Sequence, residues 1–311
     1  LKDKTMLNYT TKLSISAPII PIATVCGLLF ALGESAQAAT FALNEDTTVD
    51  TFTECVNDGI ALQVDKNSVD ESGWHYAVDS FNDGVDGLQV GGSDNPYEIH
   101  SLALKETEDS LFVAINANMP LTGVDGTSAE DGNIGWGDLF FNFTDQDFTT
   151  ANNQGDLFGV RFAGTNDSLV PNLGLYGNVT AISTTDINSG FSSLADYNQR
   201  VSDFCQGADC GPSLGDLPAD TSYFDQSQSL NTIGSGEFLT SLMYLSESEL
   251  LAAGYDLNRF DGEHTIAFKF DKSGICDRGY CTSVPEPSGG LGLAALGLMI
   301  GVNHLRKRYS A

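Results

Sequence analysis

The sequence predicts an all-β domain: a single β-sandwich or jelly-roll-like body with long loops and one short helix. Short β-rich runs recur between residues 39 and 282, separated by clusters of Gly, Asn, Asp and Ser, and several runs alternate with the period of a strand. An apolar segment also stands outside this patterned region at each end of the 311-residue chain.

Strands are expected over 40–43, 98–105, 110–117, 138–143, 157–163, 173–182, 237–245 and 265–271. In the run from Leu111 to Ala117 the odd positions are apolar, and Ile266, Phe268 and Phe270 repeat the pattern. Such alternation predicts one buried face and one partly wet face. A helix is expected over 246–253, where Ser246 and Glu249 make a Ser-x-x-Glu capping box and Gly254 supplies a stop. Residues 191–232 are the least regular and read as a long loop or a small inserted lobe.

The N-terminal segment has the three parts of a secretory signal. Lys2, Lys4 and Lys12 precede an apolar stretch over 15–32, and Ala36-Gln37-Ala38 places small residues where signal peptidase reads. Cleavage is expected after Ala38. A permanent anchor is the competing reading, but Pro18 and Pro21 interrupt the run. The expected organisation is a signal peptide over 1–38, an acidic surface domain over 39–283 and a C-terminal segment over 284–311.

In that last segment Val284-Pro285-Glu286-Pro287-Ser288 leads into an apolar stretch over 289–302 and then Arg306-Lys307-Arg308. Extended to Leu305 as a helix, the stretch would reach roughly 25 Å, against about 30 Å of hydrocarbon. A span so short suits transient insertion, with the basic triplet on the cytoplasmic side. Pro285, Glu286 and Pro287, then the apolar helix, then Arg306, Lys307 and Arg308 resemble a PEP-CTERM sorting signal. The resemblance implies export, transient anchoring in the inner membrane, recognition by an exosortase, and delivery to the cell envelope, outer surface or extracellular matrix.

Blocks within the body carry a related resemblance. Ser80-Phe81-Asn82-Asp83, Tyr97-Glu98-Ile99, the run from Leu111 through Asn118-Met119-Pro120-Leu121-Thr122-Gly123, and the run from Asp131-Gly132-Asn133-Ile134-Gly135-Trp136-Gly137-Asp138 to Phe143 are similar to cyanobacterial exosortase-dependent surface proteins. That resemblance brings no activity with it.

The chain has 42 acidic and 14 basic residues, for a formal net charge of −28. Lys2, Lys4, Lys12, Arg306, Lys307 and Arg308 lie in the terminal segments, so the body is more acidic than the whole. A surface of that sign repels nucleic acid and anionic lipid, and neither is expected as a partner of the body. Cys205 with Cys210 and Cys276 with Cys281 share a Cys-x4-Cys spacing, which favours two local disulfides in an exported chain, although the four allow three connectivities. Zinc competes for the same cysteines, but no histidine flanks them. Cys55 is left over.

No catalytic motif emerges. His75, His100 and His264 belong to no metal or nucleophile signature, and there is no Gly-x-Ser-x-Gly elbow, His-Glu-x-x-His or Walker loop, so a non-enzymatic protein is expected. No motif demands a cofactor, and calcium is the one ligand the composition favours. Asp79, Asn82, Asp83 and Asp86 crowd one glycine-bearing segment, while Asp125, Glu130, Asp131 and Asn133 crowd another. The same residue types also build solvated turns, and neither segment has EF-hand spacing. Trp136 stands between two glycines beside Asp138, where an exposed ring would stack on an extracellular polysaccharide; a tryptophan packed inward would not. Two functions follow for the body: a non-enzymatic envelope or matrix protein, or a calcium-assisted carbohydrate-binding module at the surface.

Overall fold

The computed structural model describes residues 40–284 apart from 44–45, 68, 92–94 and 206–209. Ala36 and Ala38 of the expected signal cleavage site lie outside the described residues, as do Pro285, Glu286, Pro287, Arg306, Lys307 and Arg308 of the expected sorting signal. Among the described residues no helix is long and apolar enough to cross a membrane.

The fold is an all-β, sandwich-like arrangement of antiparallel strands. In chain order the strands of its two main sheets are β1 (Thr48–Thr53), β2 (Gly59–Gln63), β3 (Trp74–Val78), β4 (Ile99–Glu106) and β5 (Ser110–Ala117). They continue with β6 (Trp136–Asn142), β7 (Phe158–Arg161), β8 (Gly174–Ile182), β9 (Thr232–Thr240), β10 (Leu242–Tyr244) and β11 (His264–Asp271). Hydrogen bonding orders them as a six-stranded sheet, β9-β8-β7-β6-β1-β2, and a five-stranded sheet, β10-β11-β5-β4-β3. Thr40–Ala42 and Thr282–Val284 pair as a separate ribbon, which brings the two ends of the described body together.

Strand periodicity sends alternate side chains inward from both sheets. Val49, Leu62, Leu139, Phe141 and Val160 from the first meet Leu102, Leu104, Val113, Ile115, Phe268 and Phe270 from the second in one buried cluster. Burying each such side chain contributes about 1.5–3 kcal/mol.

The outer faces are drier than the alternation suggests. On the six-stranded sheet, Phe52, Phe140, Tyr176 and Val179 are covered by residues of α1 (Phe148–Gln154), α2 (Leu194–Phe204) and Phe224. On the five-stranded sheet, Trp74, Tyr76, Ala103, Ala114 and Ala267 are covered by Leu250 of α3 (Glu247–Ala252) and by Tyr255. The outer faces are thus only partly wet: Ser110, Phe112, Thr265 and Lys269 are half-buried and Asn178 and Thr180 exposed, while Ala114, Asn116 and Ala267 are buried.

Where one helix is expected in the body, the described residues hold four α-helices, with α4 (Ser273–Cys276) last. The expected one is present: Ser246 and Glu249 close the capping box, and Gly254 follows with φ of 85°. Helix α2 falls in the irregular region, where Ser193 caps it by accepting the N–H of Asp196. The run expected over 237–245 divides at Ser241, so that β9 and β10 belong to different sheets. Both local disulfides form, Cys205–Cys210 and Cys276–Cys281, and Cys55 is free and buried. Burial pushes the Cys55 thiol up to about 12, so it is no nucleophile near neutrality.

Candidate functional site

Four carboxylates meet inside the body from separate stretches of chain. Asp58 occupies the turn between β1 and β2, Asp79 follows β3, Asp83 lies in the next turn, and Glu98 precedes β4. All four are at most 4% exposed. One oxygen from each of Asp58, Asp79 and Asp83 lies within 4.8 Å of the others. Glu98 is near enough for its charge to act on Asp58 and Asp83.

Backbone donors fix both oxygens of Asp58 and one oxygen of each of the others. Asp58 Oδ2 accepts the N–H of Ile99 at 2.6 Å, and its Oδ1 accepts that of Gly59 at 2.7 Å. Asp79 Oδ1 accepts from Gly215 at 3.0 Å, Asp83 Oδ2 from Ser213 at 2.7 Å and Glu98 Oε2 from Gly84 at 3.0 Å. The remaining oxygens, Asp79 Oδ2, Asp83 Oδ1 and Glu98 Oε1, are buried without a hydrogen bond. Gly84 permits this approach, since a Cβ there would stand 2.8 Å from Glu98 Oε2.

Tyr197 of α2 covers the group. Its hydroxyl donates to the Asp83 carbonyl at 3.1 Å and lies 3.3 Å from Asp58 Oδ1. Burial, and then the neighbouring carboxylates, hold the phenol well above its ordinary pKa, so it remains a donor. Burial likewise raises all four acids, Asp79 to about 7 and Glu98 to about 8, while hydrogen bonds at Ser213 and Gly215 oppose the rise at Asp79. Neither ion pair among the described residues, Lys272–Glu106 and Arg278–Glu237, involves these four.

Of the expected metal-site residues, Asp79 and Asp83 therefore come together. Asn82 is half-buried, and Asp86 is exposed and not among the converging carboxylates. Sequence reasoning missed Asp58 and Glu98, which only the sheet packing brings to the site. The second acidic segment is a surface turn: Asp125, Glu130 and Asp131 are exposed, and Asp131 Oδ1 accepts the N–H of Asn133 at 2.8 Å.

The proposed glycan platform is corrected. Trp136 is 0% exposed, its indole N–H donates to the Pro120 carbonyl at 3.1 Å, and its ring packs 5.8 Å from that of Phe162. The flanking glycines make room for dense packing instead of displaying the ring. A Cβ on Gly137 would stand 2.3 Å from the Asn231 carbonyl, and the Gly135 N–H donates to Glu54 at 2.6 Å. Asp138 is equally buried, accepting from Asn166 at 2.7 Å and from the Ile233 N–H at 2.6 Å, and burial pushes it up to about 6. Neither residue can touch a sugar in this arrangement.

Fold and site define an antiparallel sandwich with a buried carboxylate cluster. Comparison with protein-family models, curated proteins and solved structures gave no match.

Proposed function

We propose that the chain is an exported, non-enzymatic cell-envelope or extracellular-matrix protein, sorted through residues 284–311 by an exosortase. The observation that carries this reading is the succession Pro285-Glu286-Pro287, apolar segment and Arg306-Lys307-Arg308 behind a strongly acidic body. Signal peptidase and exosortase are its processing partners, and its membrane insertion is transient.

Two features of the body support export. Disulfides Cys205–Cys210 and Cys276–Cys281 suit an oxidising compartment. The pairing of Thr40–Ala42 with Thr282–Val284 closes the sandwich immediately before Pro285, so processing there would leave the sheets intact. The alternative of a carbohydrate-binding module loses the aromatic platform that suggested it, because Trp136 is buried.

The test compares the C-terminal peptide of the protein, by mass spectrometry, in a host with an exosortase and in the same host lacking it. Loss of Arg306-Lys307-Arg308 only in the first host is the expected result. Identical C-terminal peptides in both would overturn the proposal.

A further inference from the structure

We propose that Asp58, Asp79, Asp83 and Glu98 form an internal calcium site that ties the two sheets and the α2 lobe together. The inference stands on the geometry of the cluster and is independent of C-terminal sorting.

Oxygens within 4.8 Å of one another can share a single ion at about 2.4 Å from each, the ordinary calcium–oxygen distance. The hydrogen bonding is that of preoriented ligands. Asp79, Asp83 and Glu98 are each anchored by one oxygen on a backbone N–H, while the other oxygen is buried with no donor. Buried carboxylate oxygens are as a rule hydrogen-bonded. Here the unsatisfied oxygens of Asp79 and Asp83 belong to acids of the three-carboxylate group, where one cation would satisfy both, and Glu98 brings a third from close enough for its charge to act on Asp58 and Asp83.

The donor set selects the ion. Carboxylate oxygens without imidazole or thiolate favour a hard cation over zinc or copper. Magnesium demands near-octahedral geometry and keeps several waters, whereas calcium accepts irregular sets of protein oxygens, including bidentate ones. The ligands come from the β1–β2 turn, the segment after β3 and the approach to β4, and Ser213 and Gly215 of the lobe hold two of them. Binding therefore stabilises the assembled sandwich over any form in which these segments part.

The full chain, stripped with chelator, is titrated with calcium by calorimetry and with terbium(III) by luminescence, Tyr197 serving as the antenna beside Asp58. The expected result is one ion per chain with a dissociation constant on the order of 10⁻⁷–10⁻⁵ M, weak competition by magnesium, and a melting temperature that rises with calcium. Asp79→Asn and Asp83→Asn should each weaken binding at least about tenfold, as loss of an ionic ligand does. Asp86→Asn, at an exposed position, should leave binding unchanged, and Tyr197→Phe should dim the luminescence at unchanged stoichiometry. Absence of a saturable single equivalent in the unmutated chain would overturn the proposal whatever the variants do. Equal weakening by Asp86→Asn would also overturn it, by assigning the binding to diffuse surface charge.

Discussion

Asp58 Oδ2 accepts the backbone N–H of Ile99 at 2.6 Å, and through that bond the β1–β2 turn of one sheet grips the first residue of β4 in the other. The same carboxylate accepts from Gly59, and the Tyr197 hydroxyl lies 3.3 Å from its Oδ1. One side chain thus links both sheets and the helix that covers them.

Asp58→Ala should therefore destabilise the domain by about 3 kcal/mol, because it strands buried donors that no water can reach. Urea unfolding with matched slopes measures this. A change below about 0.5 kcal/mol, the size of an ordinary surface substitution, would show that the junction contributes little.

Asp50 offers a pH test away from that cluster. It is fully buried on the outer face of β1, both its oxygens lack hydrogen bonds, and burial raises its pKa well above the ordinary carboxylate value. Between the unfolded value of about 4 and the higher folded value, the native state holds a proton that the unfolded chain has released. This group's contribution is thus full below pH 4 and declines as pH rises, by at most about 1.4 kcal/mol per unit. Asp50→Asn should flatten that decline, so unfolding curves of the two proteins should diverge from pH 5 to 7. Parallel curves would mean that Asp50 does not carry the buried proton.

The legibility of the fold follows from where its polar residues face. Leu111–Ala117 and Ile266–Phe270 alternate visibly because their apolar sides fill the inner core. Strands β1, β2 and β3 did not stand out: Thr48 and Asp50 break the apolar pattern yet are buried, since the 191–232 lobe covers what would have been a wet face, and Thr51 is a polar residue on the inner side beside Val49. The site was half legible for a similar reason. Asp79 and Asp83 share one Asp-rich turn, whereas Asp58 and Glu98 reach it only through sheet packing. The signal that could have found them is local: each is an acid beside a short β-rich run, immediately before Gly59 or Ile99.

Both tryptophans are 0% exposed, and their indole N–H groups are satisfied by Pro120 and Ala253 carbonyls. Native fluorescence should resist quenching by iodide until the chain unfolds. Trp136→Ala should cost about 3–5 kcal/mol through the cavity it leaves. Strong quenching of the native protein, or a near-neutral Trp136→Ala, would return the ring to the surface.

Lys272 is 2% exposed, and its ammonium donates to Glu106 Oε1 and to the Thr107 carbonyl, both at 2.7 Å. Lys272→Met preserves the stem but removes the charge from a partner that is 21% exposed. The expected cost is about 2 kcal/mol, discounted from a fully buried pair because Glu106 can recover some water. It should persist in 0.5 M salt, where a surface pair would already be screened. A loss that disappears in salt would contradict the buried geometry.

Cell fractionation after deletion of residues 285–311 tests the central claim most directly. Sorting through that segment requires the shortened protein to leave the surface fraction while its sandwich, closed by Thr40–Ala42 and Thr282–Val284, keeps the same melting temperature. A shortened protein that still reaches the surface at the level of the full chain would contradict the account.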